Sequence, residues 1–331
     1  MEYLFLLNGD HEKLARLEIE SLLEAYGIGF RLTCIGKQTI LVDADEMPRP
    51  LLSRLALTHR AMVFLGKFSP STGDIPKAPI QNSYTEGSFR VRIKKIDKGI
   101  NSMDEERRIS EGIISATKGR VDLRDPDQEF YGIYLGDHIY LGYTLFVNDP
   151  KAFSCRKPQF RPYFHPSSID PRIARAMVNL SEAMDEVMDP FCGTGGILIE
   201  AGLMGLSVHG IDIEKKMTEG ARRNLSFFGI EADIRIDDTS RMDIDRGYEA
   251  IVTDVPYGKS TVIGQDRDSL YGRAFKKIFS MCRNKAVIVL PSEHDFTKYG
   301  FVEEGMVVIR VHKSLERHIY KLGKNIAPPM A

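Results

Sequence analysis

The run Asp189-Pro190-Phe191-Cys192-Gly193-Thr194-Gly195-Gly196 lies between a short apolar strand, EVMDP, and a helical stretch, GILIEAGLMG. Glycines at this spacing let a strand turn directly into a helix and let a ligand approach the backbone, and the helix start carries unpaired N–H groups. The residues that follow narrow the choice of fold. Strand-like SVHGIDI, helix-like KKMTEGARRNLSFFG, strands DIRIDD and EAIVTD, helix SLYGRAFKKIFSMC and strand KAVIVLP continue the alternation. FVEEGMVVIRVH and ERHIYKLG then read as two strands one short turn apart. This order predicts an α/β doubly wound sheet that ends in an antiparallel hairpin.

Acids at the strand ends indicate what such a turn would hold. A dinucleotide fingerprint needs glycine where Leu198 stands, and Asp189 at the strand end would oppose a pyrophosphate. A carboxylate there suits an ammonium or sulfonium cation, which favours S-adenosylmethionine. Asp212 ends the next strand, 19 residues beyond Gly193, where it can accept both ribose hydroxyls; a dinucleotide site would fit that spacing too. Asp238 ends the third strand and can accept from an adenine amine, with neighbouring Asp237 an alternative and a surface acid the plain reading. The fourth strand delivers Thr253-Asp254-Val255-Pro256-Tyr257-Gly258. Asp254 and the Val255 carbonyl can accept the two hydrogens of an exocyclic amine, turning its lone pair toward a methyl group, while Tyr257 stacks on the base.

The first half reads as α+β. YLFLLN, RLTCIG and TILVDAD are strand-like, HEKLARLEIESLLEAYG is helical, and PRPLLSRLALTHRAMVFLG returns to helical periodicity. SPSTGDIPKAPIQNSYTEGS reads as a linker or long loop. SFRVRIKKI alternates apolar and basic residues as a strand with a cationic face would, and SMDEERRISEGIISATKG is a helix with Ser102 as candidate N-cap. Two strands around Gly136-Asp137 follow. The formal net charge is −1, yet residues 49–100 hold ten Lys/Arg against three Asp/Glu, and residues 151–175 hold six against Asp170 alone. Such blocks attract phosphate or form a solvated face, and charge alone does not separate the two.

Composition excludes other classes. With 43% hydrophobic and 27% charged residues the chain has the balance of a packed globular protein. Cys34, Cys155, Cys192 and Cys282 lie far apart without a CxxC pair, so neither a disulfide scaffold nor a metal site is expected. No run approaches the roughly 18 apolar residues of a membrane span, and MEYLFLLNGDHEK is too short for a signal peptide, so a cytoplasmic protein is expected.

TDVPYG resembles the (D/N)PPY motif of amino-methyltransferases. Together DPFCGTGGILIEAG, TDVPYG, HKSLERHIYKL, VDLRDPDQEFYGIY and RKPQFRPYFHP resemble the archaeal tRNA guanine-10 N2-methyltransferases, and VDLRDPD is similar to the tRNA-binding THUMP domain. The resemblance implies a C-terminal class I Rossmann-like methyltransferase, with a seven-stranded sheet, over 167–331. Before it would come a ferredoxin-like α+β region over 1–70, a THUMP domain over 71–149 and a basic linker over 150–166. Asp189, Phe191, Gly193, Gly195 and Gly196 would then surround the methionine end of S-adenosylmethionine. Asp212 would hold its ribose, Asp238 and Thr239 its adenine, and His165 and Pro166 would close the pocket. Asp254, Val255, Pro256 and Tyr257 would hold the guanine, with Val255 departing from the family's proline. Lys94, Lys95, Arg107 and Arg108, with Arg156, Lys157 and Arg161, are the candidate contacts to tRNA. THUMP proteins bind the tRNA 3′ end, so the interdomain distance would select one nucleotide. Some relatives work with a small zinc-binding activator, so either a monomer or a heterodimer is expected. Methylation of another tRNA or rRNA guanine, tRNA binding without turnover, and an NAD-dependent oxidoreductase are the alternatives.

Overall fold

Two sheets organise the chain, and the contacts divide it accordingly. Met1–Glu12, Ile28–Ser53 and Thr58–Asn148 form one unit, while Lys13–Gly27, Arg54–Leu57 and the chain from Asp149 onward form the other. The structure, a computed structural model, describes residues 1–71, 73–84, 86–166, 168–243, 246–256, 267–312 and 315–324.

The elements of the first half are β1 (Glu2–Leu7), α1 (Glu12–Ala25), β2 (Phe30–Gly36), β3 (Thr39–Ala44), α2 (Arg49–Arg54), β4 (Thr58–Phe68), α3 (Lys77–Ser83), β5 (Glu86–Lys95), α4 (Ser102–Ala116), β6 (Lys118–Val121), β7 (Gln128–Leu135) and β8 (His138–Val147). Their strands make one eight-stranded sheet in the order β2-β3-β1-β4-β8-β7-β5-β6. β5 is the expected half-buried strand: Phe89 and Val91 are buried while Arg90 and Arg92 stay partly exposed. The β7–β8 hairpin turns at Gly136-Asp137, where Gly136 takes φ +58° and its N–H donates to Asp97 Oδ2 at 2.8 Å.

Three local expectations are corrected. The helical periodicity of PRPLLSRLALTHRAMVFLG ends at Arg54, and THRAMVFLG is β4, sandwiched between β1 and β8. The Pro/Ser-rich passage contains α3, whose Ile80 is buried in a core with Tyr84, Phe89 and Phe130, so it is packed rather than a free linker. α4 is capped by Asn101, whose side chain accepts from Met103 N–H, and not by Ser102.

The second half contains α5 (Pro150–Ser154), α6 (Pro171–Leu180), β9 (Glu186–Asp189), α7 (Gly196–Leu203), β10 (Ser207–Asp212), α8 (Lys215–Phe227), β11 (Ala232–Ile236), β12 (Tyr248–Asp254), α9 (Arg267–Met281), β13 (Cys282–Leu290), β14 (Phe301–His312) and β15 (Leu315–Lys324). Its seven-stranded sheet runs β11-β10-β9-β12-β13-β15-β14, parallel from β11 to β13, with β15 antiparallel to both β13 and β14. The parallel sheet with its terminal hairpin matches the sequence reading. Chain order reverses at β9, which places β10 on one side and β12 on the other, and ligands of open α/β sheets bind beyond the strand ends at such a reversal.

Residues 13–27, inside the segment 1–70 read from the sequence, group with this second unit. Buried Glu18 on α1 accepts from Ala56 and Leu57 N–H at 2.9 Å each and from Asn179 Nδ2 at 2.7 Å. Lys321 on β15 donates to Ser21 Oγ at 3.0 Å and Glu24 Oε2 at 2.6 Å. Among the described residues no helix is long and apolar enough to cross a membrane, and no cluster of His, Cys, Asp or Glu could hold a metal.

Candidate active site

β9 ends at Asp189, and the chain turns there into α7 through two glycines in the left-handed region, Gly193 at φ +50° and Gly195 at φ +80°. A side chain at Gly195 would meet the Ala221 Cβ at 3.4 Å and would be strained by that φ in any case. Asp212, at the end of β10, pins the turn: its Oδ2 accepts Gly193 N–H and its Oδ1 accepts Glu214 N–H, both at 2.9 Å. Thr239 Oγ donates to the Pro190 carbonyl at 2.5 Å and Asp237 N–H to the Asp212 carbonyl at 3.2 Å, so the ends of β9, β10 and β11 are bonded together. Asp238 accepts from Ser240 N–H and Oγ and pairs with Arg241 at 3.4 Å.

The electrostatics of this end are one-sided. Asp189 is 2% exposed, and its Oδ1 accepts from Phe191 N–H at 3.0 Å and Thr253 Oγ at 2.7 Å. Burial pushes its carboxyl up to about 7, against the pull of those two donors and with a further push from the Asp212 and Asp254 charges. Burial also raises Asp212, offset by its two amide donors and by nearby His165. Among the described residues no basic side chain forms a salt bridge with Asp189.

The segment read as closing the pocket is fastened to the glycine turn. Ser168 Oγ lies 3.0 Å from Thr194 Oγ, and Asn224 of α8 donates to the carbonyls of both Tyr163 and Thr194 at 3.0 Å while accepting Tyr163 N–H at 2.9 Å. His165 and Pro166 sit between those two fastenings. The sequence reading missed Asn224, which carries no local signal because its partners are 30 and 61 residues away.

β12 places Asp254 beside this cradle, its strand neighbour Thr253 bonding Asp189. Val255 is 1% exposed and packs into the core with Met188, Phe275, Phe296 and Tyr320, and its N–H donates to the Val289 carbonyl at 3.2 Å. The side chain that replaces the family's proline is thus a core residue. Pro256 offers its carbonyl to Tyr271 Oη at 2.9 Å. Tyr257 lies outside the described residues. Arg317, in the HKSLERHIYKL run but given no role from the sequence, pairs with Asp254 Oδ2 at 3.1 Å.

The cationic candidates divide. Lys94 and Lys95 at the end of β5 and Arg107 on α4 are exposed. Arg108 bonds Glu105 and the Gly73 carbonyl at 2.8 Å and lies over the Phe68 ring. Arg156 and Arg161, read as phosphate contacts, are buried instead: Arg156 grips Glu200 with bonds of 2.7 and 3.0 Å, and Arg161 Nε donates to the Arg156 carbonyl at 2.9 Å. Lys157 is half-buried.

Residues 158–314 match the family model described as UPF0020, RMKL-like, methyltransferase domain. The tRNA (guanine(10)-N2)-dimethyltransferase of Pyrococcus abyssi is 37% identical over 318 residues, 93% of this chain and 95% of that protein. The protein of the same name from Methanothermobacter thermautotrophicus is 34% identical over 330 residues, 96% of this chain and 98% of that protein. The crystal structure of TrmN from Thermus thermophilus superposes with a TM-score of 0.55 at 19% identity, covering 98% of this chain and all of that one, which marks a shared fold.

Proposed function

Since the chain belongs to the tRNA (guanine(10)-N2)-dimethyltransferase family, we propose that it methylates the exocyclic N2 of guanine 10 in tRNA, using S-adenosylmethionine. The observation that carries this reading is the row of strand-end carboxylates. Asp189, Asp212 and Asp254 converge across β9, β10 and β12, with Asp189 buried and without a salt-bridge partner among the described residues. A cationic cofactor fits that site and a pyrophosphate does not, which also disfavours an NAD-dependent oxidoreductase.

Asp189 would receive the ammonium of the methionine end, with Phe191, Gly193, Gly195 and Gly196 shaping the wall around it. Asp212 would accept the ribose hydroxyls, Asp238 and Thr239 would bound the adenine, and His165 and Pro166 would cover it. The bound cofactor supplies an electrophilic methyl whose sulfur keeps the bonding pair on transfer, while guanine N2 supplies the new pair and then loses a proton to solvent.

Asp254 and the Val255 carbonyl would orient the amine, and Tyr257 would stack on the base. Guanine N2 is a weak nucleophile, so alignment and offset of the growing positive charge are what the site contributes. Flipping a stem base costs a few kcal/mol, which contacts remote from the site must offset. Lys94, Lys95 and Arg107 on the segment we read as THUMP are the exposed cations suited to this. The edge strand β14 is the surface on which a small activator protein would add, and the cytoplasm is the compartment where tRNA is met.

The test is an unmodified tRNA transcript incubated with the protein and labelled S-adenosylmethionine, beside a guanine-10→adenine transcript, with products mapped by mass spectrometry. Methylguanosine at position 10, absent from the variant, is the expected result, and the mass reads one methyl or two. Transfer to another guanine in both transcripts would overturn the assignment of position.

A further inference from the structure

Among the described residues of the acceptor site, Arg317 is a charged group to which methyl transfer assigns no task. β15 runs antiparallel to the five strands before the hairpin, so its first residues enter at the end of the sheet where the parallel strands finish. Asp254 is level with Val289 of β13, and Val289 is level with Ile319 of β15, two residues past Arg317. The Arg317 side chain crosses β13 to reach Asp254 Oδ2 at 3.1 Å, and the side chains are only 11% and 17% exposed.

We infer that Arg317 is the positioning residue of the acceptor site, fixing the rotation of the Asp254 carboxylate and keeping it charged so that it serves as a fixed acceptor for the guanine amine. This rests on the methyltransferase reading of the site. A guanidinium bonded to a carboxylate in a partly dry setting removes its rotational freedom and weakens it as a base. Among the described acids at this end of the sheet, Asp189 on β9 pushes the opposite way when it is ionised, and Asp212 on β10 acts on Asp189 in the same sense, while Tyr271 of α9 donates to the Pro256 carbonyl. Removing Arg317 takes its guanidinium out of the pair with Asp254 Oδ2. In the site as built, Asp254 offsets the charge that develops on N2, and the departing proton goes to solvent.

The experiment uses the full chain with Arg317→Gln, Arg317→Lys and Asp254→Asn variants. Single-turnover methyl transfer to tRNA is followed against pH, and the Asp254 carboxyl is titrated by carbon-13 chemical shift. In Arg317→Gln the acid limb of the rate and the carboxyl titration both move up by about one to three pH units. The plateau rate falls at least tenfold, and S-adenosylmethionine affinity is unchanged. Arg317→Lys restores the limb but not the full plateau, since it keeps the charge without the fork. Adding Arg317→Gln to Asp254→Asn costs nothing further, because the arginine acts through the carboxylate. An unmoved titration in Arg317→Gln, or an equal loss on the Asp254→Asn background, overturns the inference. If the wild type transfers no methyl group, the functional reading falls, and the carboxyl titration alone still decides whether the two residues are coupled.

Discussion

Residues 49–100 and 151–175 are both strongly basic in sequence, and the fold treats the cations of β5 in the first differently from the arginines of the second. In the first stretch Arg54 is buried, but the cations of β5 line a strand face or its end: Arg90 and Arg92 pair at the flank of β5 with Glu129 and Glu106, while Lys94 and Lys95 project beyond the last buried residue. In the second, Arg156, Arg161 and Arg175 turn inward, while Lys151 stays exposed. Glu200, one turn into α7 and fully buried, is gripped by Arg156 and by Arg175 at 3.0 Å, with Arg161 close by. Positive charge therefore stays on the surface only at positions that no buried acid claims: Glu129 takes Arg60 and Arg90 in the first stretch as Glu200 takes Arg156 and Arg175 in the second, while Lys94 and Lys95 stay exposed. Glu200 is 44 residues from Arg156, beyond the reach of any local count.

The sharpest way to break this comparison is Glu200→Ala. Removing the shared anion leaves buried guanidiniums without a counter-charge, which costs about 3–5 kcal/mol. Denaturant unfolding should show that loss. If the stretch were a solvated RNA face instead, the same substitution would leave stability nearly unchanged and tighten tRNA binding.

The opposite experiment belongs to the open stretch. Lys94→Glu with Lys95→Glu should weaken tRNA binding about tenfold or more at low salt and lower the slope of log K against log salt by roughly 0.9 for each phosphate no longer neutralised. Thermal stability should not move. An unchanged salt slope would remove these lysines from the interface.

Asp189 sharpens the contrast from the acidic side, because it is buried like Glu200 but without arginines. Its carboxyl, held at about 7 against an ordinary 3.8, is largely protonated in the empty site below pH 7. Sign follows from linkage: the folded state holds a proton the unfolded chain has lost, so this group makes the empty protein less stable as pH rises from about 4 to 7. A cationic cofactor needs the ionised form, so affinity should be full above pH 7 and fall by up to about tenfold per unit below it. Calorimetric titration with S-adenosylmethionine across that range checks the slope, which Asp189→Asn should flatten.

Much of the second half was legible because its periodicities are local. Strand ends and glycine turn fall where DPFCGTGG, GIDI and TDV put them, the terminal strands pair as FVEEGMVVIRVH and ERHIYKLG predict, and Asp189, Asp212 and Asp254 do converge. What stayed hidden depends on distance or ambiguity. RLALTHRAMVFLG is apolar enough for a helix or a buried strand, and only pairing with β1 and β8 selects β4. α3 is masked by its prolines and serines, and it persists because Ile80 finds an aromatic core. Arg317 and Asn224 are chemically ordinary in sequence, and partners brought in by the fold give them their roles.

The smallest effect separates two neighbours that the sequence cannot tell apart. Arg107 and Arg108 follow one another on α4, about 100° apart around the helix. Arg107 faces solvent, whereas Arg108 is bonded to Glu105 and Gly73 and covers Phe68. Arg108→Ala should lower stability by about 1 kcal/mol through missing bonds and packing, and leave tRNA affinity unchanged well below the melting temperature. Arg107→Ala should do the reverse: unchanged melting, a few-fold weaker tRNA binding, and a salt slope smaller by the share of a single phosphate. If both arginines lowered affinity equally, the α4 surface would be read as a continuous cationic face and exposure would lose its power to sort these residues. If only Arg107 does, the rule drawn from the two basic stretches holds at the scale of a single helical step.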